Sequence, residues 1–566
     1  NTQKLYQLNV QIDVNKEVST QTKKIGFRTI KLVQNPIKPN GLTFYFEVNE
    51  KPFFAKGTNW IPTNVLMEDI TPEYLRHVLG SAKRANMNMM RVWGGGVYES
   101  DLFYELADEY GIMIWQDFMF ACSLYPATKE FLDSVSDEVI TQVRRIQHHP
   151  SIALWAGNNE NEQGLAGWWK PHLPQYDADY RALYIGTIGK ILSTEDTTRP
   201  YAPSSPSNGL QDIKDNYTSS NPEDSRYGDI HYYNDGSRLW DWTTFWSPKF
   251  ASEYGFQSYP SLETLHSAFD DKDLVYPLAP NVQHHQHHPG GDQTIDKQID
   301  YYLRRPSSGG IDRLNDFVYS SQIIQAMAMK TETEFYHYYL RRPSSGGIDR
   351  LNDFVYSSQI IQAMAMKTET EFYRRNRAID PNSGNGYTMG ALYWQLNDIW
   401  PAPSWASIEH NGKWKVLHSY VIHFLDNHLV SPYEDRDKSL KVSFVRDDYL
   451  GELSFNYSIK ANNFMLLTEP KNSKLVKPEL KLIDVKKKSV SESNDNNHVF
   501  EITLSSQSIA AFVVMDFKPK SGIRGQFMEN GFFIFGSKTI EMQTESNVSE
   551  NDIKDNLTFK TLTDVV

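Results

Sequence analysis

The sequence predicts a multidomain protein in which a central (β/α)8 barrel is flanked by β-sandwich domains. Its 566 residues are enough for several domains of ordinary size. Apolar residues alternate with polar ones near both ends, whereas the middle of the chain alternates short apolar runs with helix-like segments. Tryptophan follows the same division, since all 13 tryptophans lie between Trp60 and Trp414.

The two ends of the chain have the pattern of sandwich strands. Tyr6, Leu8, Val10, Ile12 and Val14 alternate with mostly polar residues. The same period of two recurs at residues 440–444 and 500–504. Such alternation is typical of strands that bury one face, so β-sandwich domains are predicted at both ends.

Eight short apolar segments in the middle of the chain are the predicted barrel strands. They are residues 53–60, 88–93, 111–117, 151–160, 200–205, 228–233, 249–255 and 390–398. Helix-period segments lie between them, such as residues 71–85 and 99–111, and the second of these ends on a glycine. Eight βα units over about 370 residues indicate a parallel barrel with long insertions.

One segment occurs twice, letter for letter, at residues 301–336 and 338–373. The period is 37 residues (338 − 301). A solenoid needs about three or more copies that drift apart, so two identical copies indicate a recent duplication or an assembly error. We therefore treat one copy as an insertion. Each copy contains a helix-like stretch, and one helix between the seventh and eighth strands is all that the barrel requires.

The charge and cysteine content exclude several classes of protein. Lys and Arg number 57 against 70 Asp and Glu, a net charge of −13, so no general basic field attracts nucleic acid. No run approaches the roughly 20 apolar residues that span a bilayer, so no membrane insertion is expected. Cys122 is the single cysteine, which excludes an internal disulfide and a Cys-rich metal site.

Neither a metal nor a cofactor is predicted. Adjacent histidines occur in HHQHH from His284, but they lack a carboxylate or cysteine at regular spacing and are interpreted as a polar loop. Cys122 is interpreted as a small packing residue near the third strand. Four N-glycosylation triplets suit a secretory route, although a chain this long is expected to contain some by chance. They begin at Asn216, Asn456, Asn547 and Asn556.

Polar and aromatic side chains gather where the predicted strands end. The carboxyl ends of parallel barrel strands meet at one face, so residues there are candidates for an active site. Two are carboxylates, because Glu160 ends the fourth strand and Glu253 the seventh. The others are Trp60, Arg91, Trp93, Asp117, Asn158, Asn159, His231, Tyr232, Trp394, Asn397 and Asp398.

This set of residues suits glycoside hydrolysis. One carboxyl must protonate the leaving oxygen while the other meets the positive charge that develops at the anomeric carbon. Tryptophan faces near the pair can stack on the apolar CH surface of a sugar. Two interpretations of Arg91 and Asp117 stay open, a buried ion pair at the barrel mouth and contact with substrate. Trp115 and Trp155 lie inside strands and are expected in the core.

Seven motifs occur in order at these strand ends, namely GTNW, RVWGGG, WQDFMFAC, WAGNNENE, GDIHYY, FASEYGFQS and YWQLND. Together they closely resemble the β-mannosidases of glycoside hydrolase family 2, over about residues 51–426. The resemblance implies a retaining mechanism with Glu160 as acid/base and Glu253 as nucleophile. It also implies that Asn159 hydrogen-bonds the sugar 2-hydroxyl and that Tyr232 donates to Glu253. The walls of the terminal-sugar subsite would be Trp93, Trp168 and Trp394.

The same resemblance gives domain boundaries. It assigns residues 1–36 to the remnant of an immunoglobulin-like β-sandwich and residues 37–426 to the catalytic barrel with its repeated segment. Residues 427–461 would form a shortened sandwich, and residues 462–566 a C-terminal immunoglobulin-like sandwich. Family members carry a sugar-binding jelly roll and a complete immunoglobulin-like domain before the barrel, so the chain is expected to be N-terminally truncated.

These features predict an exo-acting retaining β-mannosidase that removes terminal non-reducing β-D-mannose from oligosaccharides of glycoprotein breakdown. An animal-type relative would act in the lysosome. Two alternatives stay open: another family 2 exo-glycosidase (β-galactosidase, β-glucuronidase or exo-β-glucosaminidase), and an inactive carbohydrate-binding remnant. RVWGGG and GNNENE favour mannose, and the intact glutamates speak against the remnant. The sequence sets neither the linkage preference nor the oligomeric state.

Overall fold

The computed structural model describes most of the chain. The described ranges are residues 3–15, 17–234, 242–270, 272–274, 279–291, 293–294, 366–435, 439–447, 477–488, 498–518, 521–523, 525–544 and 547–561. Residues 301–365, which hold nearly all of the repeated segment, lie outside them, and so do Asn456 and residues 448–476. The interpretation of the repeat as a recent duplication or an assembly error therefore stays a prediction.

The strands are β1 Tyr6–Val14, β2 Glu17–Ile25, β3 Ile30–Val33, β4 Tyr45–Val48, β5 Lys51–Phe53, β6 Ala55–Trp60, β7 Met89–Val92, β8 Met113–Asp117, β9 Ile152–Ala156, β10 Tyr201–Ala202, β11 Ile230–Tyr232, β12 Ala251–Tyr254, β13 Gly390–Tyr393, β14 His428–Glu434, β15 Leu440–Arg446, β16 Lys481–Lys487, β17 His498–Phe517, β18 Gly525–Phe527, β19 Phe532–Thr544 and β20 Leu557–Lys560.

The α-helices are α1 Pro72–Arg84, α2 Asp101–Tyr110, α3 Lys129–Ile146, α4 Asn161–Ala166, α5 Pro174–Tyr180, α6 Lys190–Glu195, α7 Gln211–Lys214, α8 Leu262–His266, α9 Pro280–Gln286, α10 Val416–Phe424 and α11 Glu550–Asn556. A π-helix at Arg181–Gly189 joins α5 to α6. Residues 366–375 are also helical.

The eight predicted barrel strands are present as β6 to β13. They form one parallel sheet in the order β10-β9-β8-β7-β6-β13-β12-β11, in which the first barrel strand pairs with the eighth. A bridge between Ser207 and Asp229 joins the segments beside β10 and β11, the two outermost strands. This strand order and the helices between the strands confirm the predicted (β/α)8 fold.

Local signals explain where the helices around the barrel begin and end. The Thr71 side chain accepts a hydrogen bond from the Tyr74 backbone N–H, and Pro72 occupies the first helical position of α1. Helix α2 ends at Gly111, whose φ of 73° lies in the left-handed region that favours glycine. All residues of β7 and β9 are buried, as expected for parallel strands covered on both faces.

A small antiparallel sheet closes the amino-terminal end of the barrel. Strands β3, β4 and β5 form it, and Phe44 and Phe46 pack with Trp115 and Phe250 inside the barrel. Strand β3 therefore packs with the barrel, and the predicted boundary at residues 36/37 cuts through this sheet. Because β3 is only four residues long, its sequence does not tell which sheet it joins.

Strands occur at both ends of the chain, as the alternation predicts. The predicted buried face is not observed for the amino-terminal strands, because all residues of β1 and most residues of β2 are exposed. Strands β1 and β2 form a hairpin, β14 and β15 form another, and β16 to β20 form a five-stranded antiparallel sheet with its own apolar core. Among the described helices, none has the length and apolar character needed to cross a bilayer.

A buried ion cluster ties β14–β15 to the barrel. The Asp447 carboxylate accepts from Lys56 Nζ at 3.1 Å, from Arg374 Nη2 at 2.6 Å and from Arg377 Nη2 at 2.8 Å. Lys56 on β6 is 1% exposed, and burial lowers its pKa to about 8. Removing this carboxylate would take away the one anion that all three cations contact.

Asp447→Asn is expected to lower the free energy of unfolding by about 3–5 kcal/mol, since it leaves buried charge unpaired. Chemical denaturation followed by tryptophan fluorescence measures the loss. Asp133→Asn is the matched control, because Asp133 pairs with Lys129 at the surface, where its side chain is 62% exposed. Exposed pairs contribute less than about 1 kcal/mol, so equal losses in both variants would contradict the assignment.

Candidate active site

Glu160 and Glu253 meet at the carboxyl end of the barrel. Glu253 lies on β12, and Glu160 lies between β9 and the first residue of α4. One carboxylate oxygen of each lies within 4.8 Å of the other and of a ring nitrogen of His231. The expected approach of the two glutamates, which are 93 positions apart in sequence (253 − 160), is therefore observed.

The Glu160 side chain projects from a strained turn. Its backbone φ is 62°, in the left-handed region that non-glycine residues rarely adopt. The Glu160 backbone N–H donates to the Ser205 carbonyl oxygen at 2.8 Å, which holds this turn in place. Glu160 Oε1 lies 2.7 Å from His231 Nδ1, and Oε2 accepts from Cys122 Sγ at 3.4 Å.

Burial raises the pKa of Glu160, and it outweighs the opposing effects of Cys122 and the Arg91 charge. A carboxyl with a raised pKa keeps its proton at a higher pH than an exposed glutamate does. This environment suits a group that must donate a proton.

Arg91 is the buried cation at the centre of the site. Its guanidinium donates to both Asp117 oxygens, at 3.3 and 2.8 Å, and to Asn159 Oδ1 at 2.8 Å. It also donates to Glu253 Oε1. Burial acts to lower the pKa of Arg91, but Asp117 and Glu253 outweigh it and raise the pKa. Of the two interpretations left open for Arg91 and Asp117, the structure shows the buried ion pair.

The tyrosine that contacts Glu253 is Tyr233, so the predicted contact from Tyr232 is wrong. Tyr233 Oη donates to Glu253 Oε2 at 2.9 Å, whereas Tyr232 Oη donates to the Thr244 carbonyl oxygen. A register irregularity in β11 falls between Ile230 and His231. His231 and Tyr233 are two positions apart and both reach Glu253, since alternate strand residues share a face.

Two of the three predicted wall tryptophans are neighbours. The rings of Trp93 and Trp394 meet edge to face with centroids 5.3 Å apart. Glycine is required at position 95, because a Cβ there would lie 1.9 Å from the Trp93 ring. Trp168 is instead 54% exposed and stacks on Trp169, so its place in the subsite stays a prediction.

Several other candidates have different surroundings from those predicted. Cys122 is exposed and touches Glu160, so its interpretation as a packing residue is wrong. His284 and His285 lie on α9 rather than in a loop. The buried positions predicted for Trp115 and Trp155 are confirmed, since both are 0% exposed.

His231 is the site residue that sequence reasoning left without a role. Burial lowers its pKa to about 4, so the ring is neutral at ordinary pH. Its position in the strand-end motif GDIHYY, two residues before Tyr233, is the signal that could have assigned it to the pocket.

The group Glu160, His231 and Glu253 also has the donor types that bind a divalent metal. The Arg91 guanidinium lies against Glu253, and its charge disfavours a second cation there. The expectation that no metal is required therefore stays a prediction.

Comparison with known proteins identifies related sequences and folds. An Ig-fold domain model, Ig_mannosidase, matches residues 475–565. The β-mannosidase of Bos taurus is 46% identical over 420 residues, which are 73% of this chain and 43% of that protein. The β-mannosidase of Rattus norvegicus is 40% identical over 479 residues, which are 80% of this chain and 50% of that protein. The chain thus spans about half the length of these curated relatives.

The crystal structure of a β-D-mannosidase from Dictyoglomus thermophilum has a similar fold. It superposes with a TM-score of 0.72 at 25% identity, covering 99% of this chain and 67% of that one. The barrel and the Ig-fold domain define the multidomain fold class of glycoside hydrolase family 2. Within that class, the aligned region of the chain is homologous to the β-mannosidases, which confirms the resemblance seen in the motifs.

Buried carboxyls make the stability of the barrel depend on pH. Burial raises the pKa of Asp212 and Glu369 to about 8, and that of Glu223 and Asp398 to about 7. Between pH 5 and 8 the folded chain therefore binds more protons than the unfolded chain at these sites, and stability falls as pH rises. Five described histidines have a lowered pKa and act in the opposite direction, namely His148, His231, His410, His418 and His423. The carboxyls outnumber them, because burial also raises the pKa of Glu99, Asp117, Glu160 and Glu162.

The thermal midpoint is accordingly expected to be several degrees higher at pH 5 than at pH 8, measured by calorimetry. Glu162→Gln should reduce this difference, because burial and Asp212 raise the pKa of Glu162. The amide keeps an oxygen for the Ser219 N–H that Glu162 now accepts at 2.8 Å. Glu130→Gln, at an exposed position, is the matched control. A midpoint that rises steadily from pH 5 to 8 would contradict the buried-carboxyl account.

Proposed function

We propose that this chain is an exo-acting retaining β-mannosidase in which Glu253 is the nucleophile and Glu160 the acid/base. The observation that carries the proposal is the approach of one oxygen from each carboxylate to within 4.8 Å of the other. Retaining glycosidases place their two carboxyls about 5–5.5 Å apart, whereas inverting enzymes need a gap of about 6.5–9.5 Å for water. The homologous β-mannosidases support the same activity and sugar.

The reaction has two displacements. Glu253 attacks the anomeric carbon as the glycosidic C–O bond breaks, and Glu160 gives its proton to the departing oxygen. Glu160 then takes a proton from water, whose oxygen attacks the same carbon as the bond to Glu253 breaks. Glu160 is regenerated protonated and Glu253 as a carboxylate, so the protons balance over one turnover.

The residues around Glu253 fit its role as nucleophile. Arg91 and Tyr233 donate to different oxygens of the carboxylate and fix its orientation. Attack at a single carbon requires such positioning, because small displacements of a reacting group cost large factors in rate.

Asn159 is proposed to bind the 2-hydroxyl of the sugar. Its Oδ1 accepts from Arg91 at 2.8 Å, so the amide is oriented with Nδ2 as its remaining donor. Nδ2 makes a weak contact of 3.4 Å with Cys122 Sγ, which a sugar oxygen can replace. Trp93 and Trp394 would stack on the terminal mannose, and Trp168 would approach from the surface.

The proposed substrates are oligosaccharides of glycoprotein breakdown, and the proposed compartment is the lysosome, by homology with the animal β-mannosidases. The raised pKa of Glu160 and of the buried carboxyls suits an acidic lumen. Acidic conditions keep these groups protonated and the barrel stable.

Glu160→Ala is expected to lower kcat/KM for 4-nitrophenyl β-D-mannoside by about 10²- to 10⁴-fold, because the leaving oxygen loses its acid. A 2,4-dinitrophenyl mannoside should lose much less in the first step, since its leaving group departs without a proton. Glu253→Ala should abolish turnover of both. Glu130→Ala, at an exposed position, is the control expected to match the parent.

The alternatives give different results in the same assay. Parallel β-galactoside, β-glucuronide and β-glucosaminide substrates identify the sugar, and a preference for any of them over mannoside would overturn the proposal. Mannose binding without turnover in the parent chain, measured by calorimetry, would instead support a carbohydrate-binding remnant.

A further inference from the structure

A chain of hydrogen bonds leads from Asp229, below the pocket, to the acid/base Glu160. Ser205 Oγ lies 2.7 Å from Asp229 Oδ2 and 3.1 Å from His231 Nε2. His231 Nδ1, on the other side of the ring, lies 2.7 Å from Glu160 Oε1. Asp229, Ser205 and His231 are all buried, so water does not compete for these bonds.

The Asp229 end of the chain accepts hydrogen bonds. Asp229 Oδ2 accepts hydrogen bonds from Ser205 Oγ at 2.7 Å and from Ser252 Oγ at 2.6 Å. Asp229 Oδ1 accepts a hydrogen bond from the Ser207 backbone N–H at 3.1 Å. A carboxylate surrounded by donors in this way is acceptor-only. Ser205 has a single hydroxyl proton, which it gives to Asp229, so its oxygen must accept from His231 Nε2–H.

This bond fixes the tautomer of His231. The buried ring is neutral and carries one N–H, and the chain places it on Nε2. Nδ1 therefore presents a lone pair to Glu160 Oε1 at 2.7 Å. An ionised carboxylate at that distance would oppose a lone pair with negative charge, whereas a protonated one donates a hydrogen bond.

We propose that His231 is a positioning residue that holds the acid proton on Glu160 through the chain Asp229–Ser205–His231. The proposal rests on the proposed function and identifies what prepares its acid. In the free site Nδ1 accepts a hydrogen bond from the protonated Glu160 carboxyl. When substrate binds, its leaving oxygen replaces Nδ1 as the acceptor of that hydrogen bond. After the transfer the Glu160 carboxylate faces a lone pair, which favours taking a proton from water in the second displacement.

Other charged groups also face this pair. Glu253 Oε2 lies 3.5 Å from His231 Nδ1, and Glu223 Oε1 accepts the His231 backbone N–H at 3.1 Å. Arg91 lies against Glu253, and Cys122 contacts the second oxygen of Glu160. None of these contacts supplies a proton to Nδ1, so they leave the tautomer to Ser205.

The pH profile of kcat/KM on a β-mannoside, measured with the full protein, tests the hydrogen-bond chain Asp229–Ser205–His231. In Ser205→Ala the neutral ring is free to carry its proton on Nδ1 and to donate to the Glu160 carboxylate. The alkaline limb of the profile should then shift to lower pH by about one pH unit. Ser252→Ala is the matched control, because it also removes a donor to Asp229 Oδ2, whereas the Ser252 hydroxyl bonds to Asp229 and the Ile230 carbonyl oxygen rather than to the His231 ring. A uniform loss of rate in Ser205→Ala with an unmoved alkaline limb would overturn the proposal.

A second measurement reads the tautomer without activity. The histidines of the protein are labelled with nitrogen-15, and the His231→Asn variant assigns the His231 signal. The NMR spectrum should show a neutral His231 ring with its proton on Nε2 between pH 5 and 7. An Nδ1–H ring or an imidazolium would overturn the proposal. If the parent chain fails to turn over any β-mannoside while this ring is Nε2–H, the proposed function fails and the hydrogen-bond chain stands.

Discussion

The site depends on one buried cation, Arg91. Its side chain starts on β7 and bonds to groups carried by four other strands or strand ends. These groups are Asn59, Asp117, Asn159 and Glu253. A fully buried guanidinium is stable only where anions and acceptors surround it, so its presence draws these strand ends together. The same contacts orient Glu253 and Asn159, the two groups expected to touch the reacting sugar.

The two glutamates occupy different environments within one pocket. Glu253 accepts from a guanidinium and a phenol, whereas Glu160 faces a neutral imidazole ring and a thiol. Environments that separate two carboxyls in this way are how one site obtains both an acid and a nucleophile. The proposed division of roles therefore rests on the neighbours contributed by β7, by β11 and by the segments that follow β8 and β11.

The eight barrel strands and the two glutamates were predictable from sequence, because buried parallel strands read as continuous apolar runs and their carboxyl ends share a face. The contact of Tyr233, rather than Tyr232, with Glu253 was not predictable, because the register irregularity in β11 depends on how β11 pairs with β12. Cys122 has a φ of 46°, and this turn brings a residue that looks like core into the pocket. Strand β3 is only four residues long, so its sequence pattern does not show that it belongs to the small sheet packed against the barrel.

A mechanism-based label tests the central claim most directly. A 2-deoxy-2-fluoro-β-mannosyl fluoride slows both the formation and the hydrolysis of the glycosyl-enzyme, and it slows the hydrolysis more. The glycosyl-enzyme therefore accumulates, and peptide mass spectrometry identifies the residue that is bonded to the sugar. The account predicts one fluoromannosyl group per chain, attached to Glu253. A label on any other residue, or turnover to inverted product with no label, would contradict it.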